Sequence, residues 1–189
     1  MIDGFMLTKE KIYIEAARLF QEKGYAAASM RDLADRLELR PSSLYSHIRS
    51  KENLLEKICF DNAERYGALM QECLALELTA AAKVEYLLRQ HIRIALKHPT
   101  SITVFNDEWR HLPPVSLKRF IGMRKVYEEN FCALLSQAMH EGYFRFFDPP
   151  LVLNTLLSSL LWLHRLDARA TLPEEDAVID LLLYGLRCT

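Results

Sequence analysis

Apolar residues recur at three- and four-residue spacing along nearly all of this 189-residue chain, and no run alternates long enough to make a strand. A chain with that single period must pack helix on helix. Proline and glycine cut the pattern into about nine helical pieces. Thr8 is placed to cap the first, with Ile12, Ala16, Leu19 and Phe20 as its inner stripe, Gly24 as its stop, and residues 1–7 as a frayed arm before it. Two short helices follow within residues 29–51, then one from Lys51 to about Cys73. Val84, Leu87, Leu88 and Ile92 mark the next, which ends at His98-Pro99. A short helix reaches Trp109. After the Leu-Pro-Pro break at 112–114, Val115–Glu141 reads as one helix of 27 residues, stopped by Gly142. Asp148-Pro149 opens a helix to about Leu166, and Pro173 opens the last. The expected fold is all-α, with an N-terminal three-helix head at 1–50, a linking helix at 51–73 and a helical body at 74–189.

The stretch Ser29–Lys51 carries the most specific pattern. Ser29 and Asp32 stand in the positions of a capping box. Met30, Leu33, Ala34 and Leu37 give the helix after them one apolar face, and Leu39 is a buried-type residue in the turn that follows. Pro41 then occupies the first position of a second helix. On it Leu44 and Ile48 point one way, while Ser42, Ser43, Tyr45, Ser46 and His47 point the other and build no core. A braced helix offering hydroxyls, a phenol and an imidazole is the recipe for a helix-turn-helix reading a DNA major groove. Ser50 caps a third helix, so free backbone N–H groups and Lys51 are expected to meet there, where phosphate binds readily. A generic helical hairpin with a polar outer face fits the same pattern. The candidate DNA contacts are Ser29, Arg31, Arg40, Pro41, Ser42, Ser43, Tyr45, His47 and Lys51.

Charge does not advertise a nucleic-acid binder: the net charge is −1, and residues 1–65 hold 11 basic against 11 acidic side chains. Within 29–51 the balance is five basic to three acidic, so any positive footprint is local to this stretch. A weak overall field makes tight binding depend on two heads, hence a dimer. The four cysteines are widely spaced without a C-x-x-C, which argues against disulfides and zinc and for a reducing compartment. Met1–Leu7 lacks a basic leader, and the longest apolar run, Leu151–His164, is too short for a bilayer. The expected location is the cytoplasm, with no membrane. No nucleophile elbow, phosphate-cradling glycine loop or metal-spaced cluster is visible, so neither enzyme activity, cofactor nor metal is expected.

The segment Leu44-Tyr45-Ser46-His47, followed by Ser50-Lys51-Glu52 and Leu54-Leu55 and preceded by the Gly24-Tyr25 break and a capped helix, resembles the TetR/AcrR family of bacterial transcriptional regulators from about Thr8 to Leu55. Three departures stand out: Glu38-Leu39-Arg40 where the family often has Gly-Val-Ser, Ser42 in place of the usual glycine after it, and Ile48 where an aromatic is common. The resemblance implies a repressor that binds a palindromic operator as a homodimer and is released by a small apolar effector. Phe105, Trp109, Tyr127, Phe131 and Trp162 read either as core packing or as the lining of an effector pocket, and the resemblance favours the pocket. Glu108-Trp109-Arg110, the long helix after it and Gly142-Tyr143-Phe144-Arg145 look similar to regulators of fatty-acid or steroid catabolism that sense acyl-CoA thioesters. The last two helices are apolar nearly all round and must be covered, by the same chain or by a two-fold partner. The resemblance implies the partner, through Leu156, Leu160, Leu182 and Leu186. Three rival readings remain: an all-helical scaffold whose hairpin binds protein, a regulator that senses a different hydrophobic compound such as a drug, and a helical enzyme for small molecules.

Overall fold

A computed structural model describes residues 9–163 and 174–188. The described residues form nine α-helices and one 3-10 turn, without a strand. The helices are α1 (Lys9–Lys23), α2 (Met30–Arg36), α3 (Pro41–Tyr45), α4 (Lys51–Ala75), α5 (Ala80–Lys97), α6 (Pro99–Asp107), α7 (Pro114–His140), α8 (Pro149–Leu160) and α9 (Glu175–Tyr184). The expected cap at Thr8, the arm before it and the opening at Pro173 lie outside the described residues. The helix at Pro149 ends at Leu160, sooner than the expected Leu166, with Leu161 as its C-cap.

The chain divides into two compact units, Met1–Asn62 with Thr100–Phe120, and Ala63–Pro99 with Ile121–Thr189. The first takes in more than the expected 1–50 head, because residues 100–120 return to it. Its core is made by Ile12, Leu19 and Phe20 of α1, Leu33 and Ala34 of α2, Leu44 of α3, Leu54 and Leu55 of α4, and Val104 and Phe120, all buried. Leu39 is half-buried and Met30 likewise, so the inner face of α2 rests on Leu33, Ala34 and Leu37.

Local sequence explains the ends of α2. Ser29 Oγ accepts the Asp32 N–H at 3.1 Å, and Asp32 accepts the Ser29 N–H at 2.9 Å, closing the capping box. Lys23 bonded to Asp32, together with Ser29, holds that carboxyl down to about 2 against an ordinary 3.8. A depressed carboxyl contributes stability that is present above its unfolded value and lost as pH falls through the folded one. Acid titration is therefore expected to release the capping box between about pH 4 and pH 2, followed as loss of the Lys23–Asp32 pair by carboxyl NMR.

At its other end α2 closes in a Schellman motif: Leu39 N–H donates to the Ala34 carbonyl at 2.8 Å and Glu38 N–H to the Asp35 carbonyl at 3.1 Å. The left-handed residue this needs is Glu38, at φ 56°, whereas α1 ends on Gly24 at φ 77°. A side chain in that conformation costs roughly 1–2 kcal/mol. Glycine gives part of it back in unfolded-state entropy. Glu38→Gly is thus expected to raise stability by about 0.5–1 kcal/mol, read as a higher denaturation midpoint at unchanged m.

The second unit is packed around Val84, Leu87, Leu88 and Ile92 of α5, Phe131 and Leu135 of α7, and Ile179 and Leu183 of α9. Thr79 caps α5, its Oγ1 accepting the Ala82 N–H at 3.3 Å. Asp148 caps α8, accepting the Leu151 N–H at 3.0 Å. The N-cap residue of α9, Glu174, makes no side-chain cap bond. The first-turn acids of α9 are gripped from α5 instead: Arg89 bonds Glu175 at 3.0 Å and Asp176 at 2.6 Å, and Arg93 bonds Glu175 at 2.8 Å.

Candidate nucleic-acid interface

Helix α3 is only five residues long, and its orientation is set by two anchors, Leu44 and Ile48, both essentially inaccessible. Their burial turns Pro41, Ser42, Ser43, Tyr45, Ser46 and His47 to the surface, as the spacing predicts, and Tyr45 is 53% exposed. Pro41 sits in the first turn, and Arg40 is the N-cap residue with no side-chain cap bond. Ser46 Oγ donates to the Ser43 carbonyl at 2.7 Å, leaving the hydroxyls of Ser42 and Ser43 facing outward at the start of the helix.

The cations of this region fall into two sets. Lys23 is paired with Asp32 at 2.7 Å and Arg36 with Glu22 at 2.9 Å, so both are neutralised within the unit. Arg31, Arg40 and Arg49 are exposed, and their side chains have no hydrogen-bond or ion-pair partner among the described residues. Of these three, Arg40 directly precedes α3 and its outward hydroxyls in the chain. Arg49 was not among the expected contacts; its signal was its place just ahead of the Ser50 cap, where neither a helix nor a core claims it.

Two expected contacts are engaged inside the protein. Ser29 is committed to the capping box. Lys51 turns inward: its ammonium donates to the carbonyls of Tyr25 and Ala28, each at 2.9 Å, approaches that of Ala26 at 3.5 Å, and lies 4.3 Å from the Tyr25 ring centroid. The turn between α1 and α2 has carbonyls left over by the end of α1, and a lysine at the start of α4 satisfies them. At the α4 N-terminus Ser50 Oγ accepts the Asn53 N–H at 3.3 Å. In this structure Lys51 staples the α1–α2 turn. Lys51→Met is expected to lower stability by about 2 kcal/mol, since it strands carbonyls that accept from a charged donor; a chemical denaturation curve checks this.

Tyr25 is the hub of that staple. Its N–H donates to Glu108 at 3.1 Å, and its ring meets Phe20 edge-on at 5.2 Å and stacks on His111 at 5.3 Å. Burial first, then the carboxylates of Glu52 and Glu56, push its phenol up to about 12. Glu108 and His111 thus tie residues 100–120 to the turn that sets α2 and α3.

Of the five expected pocket residues, Phe105 and Trp109 belong to the first unit and Tyr127, Phe131 and Trp162 to the second. Phe105 and Trp109 gather on Phe120, at 5.5 Å and 5.8 Å, within the first unit. Tyr127 and Phe131, 6.1 Å apart, lie in the second unit. There Tyr127 joins His91, with Nε2 2.7 Å from its hydroxyl, and Tyr66, which stacks on His91 at 4.5 Å. Trp162 is 46% exposed. In the sequence His91 is one of several scattered histidines, and Tyr66 is hidden in the apolar stripe of α4.

The expected dimer residues are mostly inside their own protomer. Leu156, Leu160 and Leu186 are buried, and Leu182 is half-buried. The apolar side chains that α8, α9 and the residues after α8 leave open are Leu151, Leu161, Trp162, Leu181 and Tyr184, with Leu181 80% and Tyr184 85% exposed. An all-round apolar helix does not declare which side its own core takes.

Comparison with known proteins agrees with this layout. Residues 12–58 match the family described as bacterial regulatory proteins, tetR family, and residues 77–165 match the tetracyclin repressor-like C-terminal domain. The HTH-type transcriptional repressor KstR2 of Rhodococcus jostii is 28% identical over 133 residues, covering 69% of this chain and 64% of that repressor. The chain thus spans a little under two thirds of the length of that curated relative. The ketosteroid regulator KstR2 of Mycobacterium tuberculosis superposes with a TM-score of 0.88 at 20% identity, over 95% of each chain. The regulator PfmR from Thermus thermophilus is 30% identical, with a TM-score of 0.80 over 94% of this chain and all (100%) of its own. AibR, solved with isovaleryl coenzyme A and operator DNA, matches at TM-score 0.80 and 20% identity, over 93% of this chain and 96% of its own.

Proposed function

Because the chain belongs to the tetR family of bacterial regulatory proteins, we propose that it is a non-enzymatic transcriptional repressor that binds a palindromic DNA operator as a homodimer and lets go when a small apolar effector binds. The observation that carries this reading is the α3 face, with exposed Ser42, Ser43, Tyr45 and His47, in the same unit as the exposed Arg31, Arg40 and Arg49, whose side chains have no ion-pair or hydrogen-bond partner among the described residues. Those groups suit base edges and phosphates in a major groove, with the arginines as the specific or backbone cations. Residues 1–50 act as the reading head on the linking helix 51–73, and residues 74–189 hold the effector and the second copy. The exposed Leu151, Leu181 and Tyr184 supply the two-fold contact, beside a groove of about 280 Å³ lined by Phe147, Thr155, Leu156 and Leu182. Acyl-CoA thioesters are the effector class that fits an aromatic-lined body of this kind, and AibR is a fold neighbour solved with one. No helix among the described residues is long and apolar enough to cross a membrane, and we place the protein in the cytoplasm with the DNA.

Selection of bound duplex from a random pool, repeated with and without acyl-CoAs, tests this. The expected product is an inverted repeat whose affinity falls steeply with salt and whose complex dissociates on addition of an acyl-CoA. Recovery of no enriched sequence sinks the repressor reading; an operator that no acyl-CoA displaces sinks the effector class alone.

A further inference from the structure

We propose that His91 and Tyr127 are the polar anchor of the effector site: an uncharged hydrogen-bond donor set among aromatic rings, which takes the carbonyl oxygen of an otherwise apolar ligand such as a thioester. This rests on the effector-responsive reading above. The pair belongs wholly to the second unit, with His91 on α5 and Tyr127 on α7. His91 Nε2 and the Tyr127 hydroxyl are 2.7 Å apart, and neither side chain has another hydrogen-bond partner among the described residues. Around them stand Tyr66, stacked on the imidazole at 4.5 Å, and Phe131, 6.1 Å from the Tyr127 ring.

The proton count gives the same answer in either tautomer. If Tyr127 donates to Nε2, the proton of His91 sits on Nδ1 and points to no acceptor among the described residues. If Nε2–H donates to Tyr127, the phenol proton is the one left over. One half-buried donor is always in surplus, and a donor drawn away from water without an acceptor costs stability unless something supplies one. Charge does not relieve it. Burial lowers His91 to about 4 and raises Tyr127 well above its usual range, so both are neutral near pH 7. A carboxylate or phosphate is poorly matched to such a neutral, desolvated pair, and a carbonyl is well matched. Both side chains are half-buried. An apolar body with one convergent donor is the composition of a small-molecule site.

The test pairs two probes with two variants. An acyl-CoA thioester and the alkyl-CoA thioether of the same chain length differ only in the carbonyl. Calorimetric titration of the wild-type protein is expected to show the thioester binding about tenfold tighter than the thioether, the worth of one buried hydrogen bond. In Tyr127→Phe and in His91→Phe the thioester should fall to the thioether's affinity while the thioether is unchanged. A role in packing alone would weaken both probes equally, and that result overturns the proposal, as does a variant that keeps the tenfold preference. Wild-type protein that holds its operator but discriminates neither probe also overturns the anchor and leaves the repressor reading standing. Protein that selects no DNA yet discriminates the probes through Tyr127 does the reverse.

Discussion

Leu181→Glu is expected to give a folded monomer that no longer holds its operator. Leu181 is 80% exposed on α9, so a carboxylate there is solvated in the isolated protomer and costs the fold little. In a two-fold interface it would be buried twice, once from each copy, without a partner. That penalty is about 3–5 kcal/mol for each stranded charge, enough to abolish a micromolar dimer. Loss of the dimer removes the second reading head and with it the avidity on which a protein of near-zero net charge depends. Leu160→Glu makes the contrast. Leu160 is buried within its own protomer, so the same change should unfold the chain rather than split it. Sedimentation and circular dichroism of the two variants separate the outcomes. A Leu181→Glu protein that still sediments as a dimer would place the interface elsewhere.

Arg40→Ser should move stability and operator binding in opposite directions. Arg40 is the N-cap of α3 and makes no capping bond. Serine there is worth about 1 kcal/mol, so the variant should melt higher. Arg40 is also exposed beside Ser42 and Ser43, with no partner among the described residues. If it reads guanine, its loss costs roughly 1–3 kcal/mol per half-site and relaxes preference at one base. If it touches phosphate, affinity falls evenly across sequences and the salt slope shrinks by about one. Titration of wild-type and variant protein on the selected operator at several salt concentrations distinguishes the two. A variant that binds as tightly as wild type, on the same slope, removes Arg40 from the interface. Arg31 and Arg49 share its exposure and its lack of partners among the described residues, and the same titration sorts them.

The helical architecture, the capping box at Ser29, the glycine stop at Gly24 and the inward pair Leu44 and Ile48 were legible because each is local. Period, cap and left-handed turn are properties of a few consecutive residues, and the backbone obeys them before any tertiary contact forms. The outward face of α3 follows from the same periodicity, as does Arg40 in a position that prefers a serine.

What the chain could not declare by itself depended on which surfaces meet. Lys51 looked available for phosphate, and only the return of the α1–α2 turn showed that three carbonyls take its ammonium. The aromatic residues of the body share one composition, but the packing sorts Phe105 and Trp109 onto Phe120 in one unit and, in the other, Tyr127 onto His91, Tyr66 and Phe131. Leu156, Leu160 and Leu181 are equally apolar, so hydropathy could not tell which of them the chain's own core takes; the fold buries Leu156 and Leu160 and leaves Leu181 exposed. Hydrogen-bond caps act over three or four residues and leave their signature in the sequence. Packing of one apolar face against another joins residues dozens of positions apart, and the hydrophobic effect that drives it carries no address.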